Sequence, residues 1–195
     1  MTEHASLFEF PAARRVCGID EAGRGPLAGP VCAAAVVLPE GFPLQLLGDS
    51  KALGKAARER AYAAILESCD CCVAWAWPAE IDRINILRAT MLAMARAYEG
   101  LRERPDLVLV DGNRTPDLPC ARQAIVKGDG KIHAIMAASI LAKVSRDRAM
   151  ERYDWLYPEY GYARHKGYPT AEHRAACRRL GPSPIQRLSF SYDKA

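Results

Sequence analysis

The chain predicts an α/β fold: a mixed central β-sheet flanked by helices, with a small helical extension at the C-terminus. Three observations carry this expectation. Apolar runs of strand length occur within 14–38, at 71–77 and at 107–110. Longer stretches with apolar residues at helical spacing alternate with them. From Tyr153 the composition shifts to crowded aromatics and prolines. The resulting order, β-β-helix-β-helix-β-(β)-helix, implies a mixed sheet with helices laid over it.

Residues 1–13 read as a flexible N-terminal tail, 14–152 as the main domain and 153–195 as an extension packed on it. Within 14–38, two strands are joined by the glycine-rich stretch Gly18-Ile19-Asp20-Glu21-Ala22-Gly23-Arg24-Gly25-Pro26. Pro30 opens the second strand, where its missing N–H costs little, and Pro39 and Gly41 end it. Residues 48–55 are a polar loop. Ala56 to Ser68 is rich in Ala, Arg, Glu and Leu and predicts a helix. Cys71 to Trp77 is a short buried strand stopped by Pro78. Ile81, Ile84, Leu87, Met91, Leu92 and Met94 recur at helical spacing, so 80–100 is an amphipathic helix ending near Gly100. Leu107 to Val110 is a strand ending in Asp111-Gly112-Asn113. Ile125-Val126 precedes Lys127-Gly128-Asp129-Gly130. The stretch from 131 to about 152 is helical, buried in its first half and charged in its second. Thr170 caps a last helix running to about Leu180, and Gly181-Pro182-Ser183-Pro184 breaks it. Trp75 and Trp77 alternate on their strand and read as structural, although their shared face would allow both to be exposed. Tyr153, Tyr157, Tyr160 and Tyr162 read as packing residues.

With 195 residues, half of them apolar, the chain can bury a core of ordinary size. A net charge of +4 is compatible with a nucleic-acid partner. The 7 cysteines show neither a disulfide framework nor paired C-x-x-C motifs, which fits free thiols in a reducing cytoplasm. No signal peptide and no run long enough to span a bilayer is present, so a cytoplasmic protein without a membrane partner is expected. No coiled-coil or dimerisation pattern is evident, and a monomer is expected.

The chemistry lies in the acids. Asp20 and Glu21 end the first strand, Asp111 ends the Leu107–Val110 strand, and Asp129 sits in a glycine turn just before the buried helix. Neighbouring strand residues point to opposite faces, so Asp20 and Glu21 share a site only if the chain bends or a metal gathers them. Carboxylates that follow apolar strands project into a cleft at one edge of a sheet. Brought together, four would repel one another and rise in pKa unless cations neutralise them. Hard divalent ions do this, and two Mg²⁺ or Mn²⁺ ions are the natural partners. No pair of histidines has zinc-ligand spacing. Two such ions can activate water and stabilise the leaving oxygen in phosphodiester hydrolysis.

The basic residues fit the same chemistry. Gly23 and Gly25 flank Arg24 and permit a tight turn with exposed amides. Arg24 and Lys51 are candidates for phosphate contact. Ser139 and Lys143 share a helix face, with Arg146 three residues further on. Asp147 reads as an ion-pair partner for Arg146, Arg148 or Lys143 on the outer half of the helix. Between Lys143 and Arg187 there are ten Lys or Arg and five Asp or Glu, an excess suited to a phosphate backbone. Tyr168, held between Gly167 and Pro169, is placed to stack on a sugar or base.

With those residues in view, the chain resembles the bacterial ribonuclease HII, or type 2 ribonuclease H, family over roughly residues 14–190. The resemblance rests on Gly18 to Pro26, Asp49-Ser50-Lys51, Ile81-Asp82…Asn85-Ile86, Val110-Asp111-Gly112-Asn113 and Lys127-Gly128-Asp129. It continues through Ala138-Ser139-Ile140…Ala142-Lys143-Val144…Arg146-Asp147, His165-Lys166-Gly167-Tyr168-Pro169-Thr170 and Leu180-Gly181-Pro182-Ser183-Pro184. It implies an RNase H-like fold. It also implies cleavage of RNA in RNA/DNA hybrids, and incision 5′ to single ribonucleotides in duplex DNA, leaving 3′-hydroxyl and 5′-phosphate ends. By the family pattern Asp20, Glu21, Asp111 and Asp129 are the catalytic, metal-binding four. Gly23, Arg24 and Gly25 would contact the ribonucleotide 2′-hydroxyl and its phosphate, and Tyr168 would stack on the next sugar.

Three positions depart from the family pattern, and the stretch Lys131-Ile132-His133-Ala134-Ile135-Met136-Ala137-Ala138-Ser139 is bulkier than the usual alanine-rich helix start. Ala52 and Gly54 stand where Lys and Ser are usual, and Gln186 stands for a usual histidine before Arg187. None touches the four acids. His165 and His173 are expected to hold the turn around Tyr168 rather than act in the chemistry. Two other readings remain open on the sequence: a metal-dependent DNA junction nuclease of the same fold, and a non-catalytic nucleic-acid binding module.

Overall fold

The order of strands puts the first one at the middle of the sheet. The computed structural model describes residues 15–48 and 53–191; the expected N-terminal tail, Lys51 and Ala52 lie outside them. Among the described residues, one sheet contains β1 (Val16–Ala22), β2 (Val31–Val37), β3 (Asp70–Ala76), β4 (Leu107–Asp111) and β5 (Ala121–Ile125), in the order β3-β2-β1-β4-β5. β1 pairs antiparallel with β2, and β2 with β3. β1 pairs parallel with β4, and β4 with β5. The sheet is therefore mixed, as the element order implied. β5 begins well before the Ile125-Val126 signal, because its edge position leaves Ala121 and Arg122 exposed and erases the apolar pattern.

The two faces of the sheet carry separate cores. On one, Cys17, Ile19, Ala33, Ala35, Val108 and Val110 pack under α2 (Pro78–Glu99). On the other, Cys32, Ala34 and Val36 pack under α1 (Lys55–Ser68) and α3 (His133–Leu156). The start of α3 lies directly on β1: a Cβ on Gly18 would stand 2.1 Å from the carbonyl carbon of Ala134. α2 is not continuous. Asn85 takes φ 68° inside it, and its Oδ1 accepts from the Arg88 N–H at 3.1 Å, restarting the helix as an internal cap.

α3 runs four residues past 152, so the sequence boundary at 152/153 falls inside a helix. Beyond it lie α4 (Tyr162–His165) and α5 (Ala171–Leu180), with Thr170 accepting from the His173 N–H as the expected cap. This segment is stitched to the turn between β1 and β2. The Leu27 N–H donates to Gly167 O, the Gly29 N–H to Ile185 O and the Arg187 N–H to Leu27 O, at 2.8–2.9 Å. Tyr160 and Tyr162 stack and pack with Met150, Ala176 and Ile185. All 7 cysteines are free thiols. Among the described residues, no helix is long and apolar enough to cross a membrane.

Candidate active site

Strand parity and the parallel pairing of β1 with β4 bring the acids together. Ile19 lies opposite Val110, so Asp20 and Asp111 emerge side by side where the two strands end. Both belong to the sheet face covered by α3. Asp129 arrives from a 3-10 turn at Gly128–Gly130, entered through Lys127 at φ 57°. Asp111 Oδ1 accepts from the Gly128 N–H at 2.7 Å and from the Asp129 N–H at 3.4 Å, which locks that turn onto β4. Carboxylate oxygens of Asp20, Asp111 and Asp129 consequently lie within 4.8 Å of one another.

Glu21 is placed differently. As the neighbour of Asp20 on a strand it starts toward the other face, and its carboxylate stands 3.6 Å from Arg24. It still feels the cluster. Burial raises its pKa, Arg24 pulls it back and Asp111 pushes it up again. Asp20 is raised well above the usual carboxylate range, first by burial and then by the charges of Glu21 and Asp111, against hydrogen bonds from Ser139 and the Glu21 N–H. A partly buried set of mutually repelling oxygen donors is the environment a hard divalent ion relieves. The residues present therefore fit such a metal.

The turn that follows β1 is held from inside. Gly23 has φ 94°, and a Cβ there would lie 1.9 Å from Arg146 Nε. The expectation that Arg146 meets substrate from the outer half of α3 needs correction. Its side chain is buried, and its three nitrogens donate to the carbonyls of Pro30, Lys166 and Ala28 at 3.0–3.3 Å. Ser139 is also buried, and its hydroxyl serves Asp20. Both hold up the site rather than facing the solvent. Lys143 pairs with Asp147 at 2.9 Å and remains partly exposed; Arg148 pairs with Glu59 instead.

Tyr168 stands beside this turn and is 43% exposed. A Cβ on Gly25 would come 3.7 Å from the ring, and Arg146 Cζ lies 5.9 Å from its centroid. The tyrosine's backbone is fixed as expected. Its N–H donates to His165 O at 2.8 Å, and its carbonyl accepts from His173 Nδ1 at 3.0 Å. The two imidazoles stack at 4.4 Å.

Sequence reasoning missed the role of Arg187. Fully buried, it donates to the carbonyls of Gly23, Arg24, Pro26 and Gly29 at 2.6–3.0 Å. The available signal was a lone arginine beside Pro184-Ile185-Gln186, where a buried cation needs acceptors. Gln186 is buried too, with its carbonyl oxygen facing Cys177 Sγ at 3.7 Å.

Known proteins share this arrangement of elements. The family model described as Ribonuclease HII matches residues 17–192. A ribonuclease HII from Laribacter hongkongensis is 57% identical over 182 residues, covering 91% of each chain. One from Chlorobium luteolum is 57% identical over 186 residues, covering 90% of this chain and 88% of its own. The crystal structure of ribonuclease H2 from Pyrococcus horikoshii matches with a TM-score of 0.75 at 29% identity, over 91% of this chain and 94% of that one. On this match over nearly its whole length, the chain belongs to the ribonuclease HII family.

Proposed function

We propose that the protein is an endoribonuclease that hydrolyses the phosphodiester 5′ to a ribonucleotide. Its substrates are RNA/DNA hybrids and DNA duplexes with single embedded ribonucleotides, and the products carry 3′-hydroxyl and 5′-phosphate ends. The convergence of Asp20, Asp111 and Asp129 within 4.8 Å carries this reading. Two Mn²⁺ or Mg²⁺ ions held by these three acids with Glu21 would supply an activated water and positive charge for the leaving oxygen.

The chain's own groups do the positioning. Ser139 orients Asp20, and the Gly128 and Asp129 amides aim Asp111. Arg24, half exposed beside Glu21, and Lys143 take phosphates, with Lys51 added from outside the described residues. The Gly23-Arg24-Gly25 backbone reads the 2′-hydroxyl, the group that distinguishes RNA from DNA. Tyr168 stacks on the adjoining sugar from its place beside Gly25. Such an activity suits removal of misincorporated ribonucleotides and of replication primers, by a monomer in the cytoplasm.

The test is a labelled DNA duplex with one ribonucleotide, incubated with Mg²⁺, Mn²⁺ or EDTA beside all-DNA and uniform-hybrid controls. Metal-dependent incision 5′ to the ribonucleotide is expected. Cleavage of all-DNA duplex, or binding with no cleavage, would overturn the reading.

A further inference from the structure

Where the edge strand β3 passes into α2 stands an aromatic pair for which the site above has no use. The rings of Trp75 and Trp77 stack with centroids 6.0 Å apart and planes 18° from parallel. Trp75 is half-buried against the core beneath α1 and α3. Trp77, its outer partner, is 47% exposed.

The pair is rigidly mounted. The Trp77 N–H donates to Glu80 Oε2 at 2.9 Å, and the Glu80 N–H returns a bond to Trp77 O at 2.9 Å. Arg96 donates to both Glu80 oxygens at 2.7 and 3.1 Å, and to Trp75 O at 2.8 Å. One guanidinium and one carboxylate thus fix the backbone under both indoles.

The register places this platform near the acids. Ala22 lies opposite Cys32, and Cys32 opposite Trp75, so the three form one row across the sheet. Asp20 lies opposite Ala34, one pleat back on the same face. Two strand spacings and one pleat separate Asp20 from Trp75, about 12 Å between Cα atoms. Trp77 lies one pleat further out, about 16 Å from Asp20, and at 3.4 Å per nucleotide along one strand this is roughly five steps. The corner is continuous with the site. Asp82, one turn beyond Trp77, accepts from the Leu188 and Ser189 N–H groups at 2.9 Å, and Arg187 beside them grips the Gly23–Gly25 turn.

We propose that Trp77, backed by Trp75, is a stacking platform for a nucleotide sugar or base of the bound duplex, roughly five steps from the cleaved bond. The proposal rests on the nuclease reading above. An indole face accepts any nucleotide, so the platform adds affinity without sequence preference. It would measure how far duplex extends beyond the ribonucleotide.

Binding is measured by anisotropy of a labelled duplex with one ribonucleotide, in an Asp111→Asn background that blocks cleavage. Trp77→Ala is expected to raise Kd about five- to tenfold on a duplex with long flanks, and Trp77→Phe to restore most of it. Cutting back one flank, but not the other, should abolish the penalty. An unchanged Kd, or an equal loss on every duplex, would overturn the platform. Should Trp77→Ala unfold, indole emission in Trp155→Phe decides: quenching by duplex is expected, and unchanged emission sinks the idea. Cleavage by the parent enzyme is assayed separately. A parent that binds but fails to cleave overturns the nuclease reading, while the binding series still judges the platform.

Discussion

Arg187 Nη2 donates to the carbonyl oxygen of Gly23 at 2.6 Å, across 164 positions of the chain. The same guanidinium reaches three further carbonyls of that turn. Burial and the nearby Arg146 charge press its pKa down, while Asp82 and Tyr168 pull it up; the carbonyl acceptors keep it a cation. Arg187→Ala should therefore destabilise the fold by about 3–5 kcal/mol by stranding buried acceptors. Arg187→Lys should rescue little, since an ammonium lacks the planar fork. Thermal unfolding and cleavage rates check both. Full rescue by lysine would show that charge alone matters.

Gly23 and Gly25 should respond differently to alanine. At Gly23 the positive φ and the overlap with Arg146 Nε act together, so Gly23→Ala should cost about 2–4 kcal/mol and displace the turn. At Gly25 the added methyl would make an ordinary contact with Tyr168, so stability should stay within about 0.5 kcal/mol. Any loss of cleavage in Gly25→Ala then reports substrate fit. Denaturant midpoints for the two variants separate the cases.

Asp20→Asn should lower cleavage by about a thousandfold or more and raise the melting temperature of the metal-free protein at neutral pH. The sign follows from the raised pKa values of Asp20 and Glu21. Between the unfolded and folded values the native state binds more protons, so stability falls as pH rises through that window. Mn²⁺ should raise the melting temperature of the parent protein and have little effect on Asp20→Asn/Asp111→Asn. A metal-free Asp20→Asn protein less stable than its parent would contradict the repulsion argument.

The His165–His173 stack predicts the opposite pH trend for the Tyr168 turn. Burial depresses both imidazoles below their usual value of 6.5. The unfolded chain then binds more protons between the folded value and 6.5, so this contribution is lost as pH falls through that window. His173 Nδ1 donates to Tyr168 O, while its buried Nε2 has no hydrogen-bond partner among the described residues. His173→Asn keeps a comparable donor and removes the titration. Its melting temperature should fall less than the parent's on acidification below about pH 6.5. Comparison with the parent cancels the opposing effect of Asp20 and Glu21.

Four of the five strands, the main helices and the three converging aspartates could be read in order along the chain, whereas the exposed edge strand β5 left little apolar pattern. Apolar periodicity is local, and acids that follow apolar strands announce an edge of the sheet. Family motifs then joined those separate signals. What the chain in order could not convey was direction across space. Arg146 looked like a surface cation because its neighbours Arg148 and Asp147 are charged, yet helix α3 turns it inward onto the carbonyls of Ala28 and Pro30. Ser139 became a partner of Asp20, and Arg187 a clamp on Gly23, only once β1, α3 and the C-terminal segment had packed together. Glu21 stands apart from the three aspartates because adjacent strand residues diverge and Arg24 draws its carboxylate aside. Residue type and spacing determined which groups exist and on which element. Tertiary packing decided which of them lose water and find partners, since burial and hydrogen bonding depend on residues more than a hundred positions away.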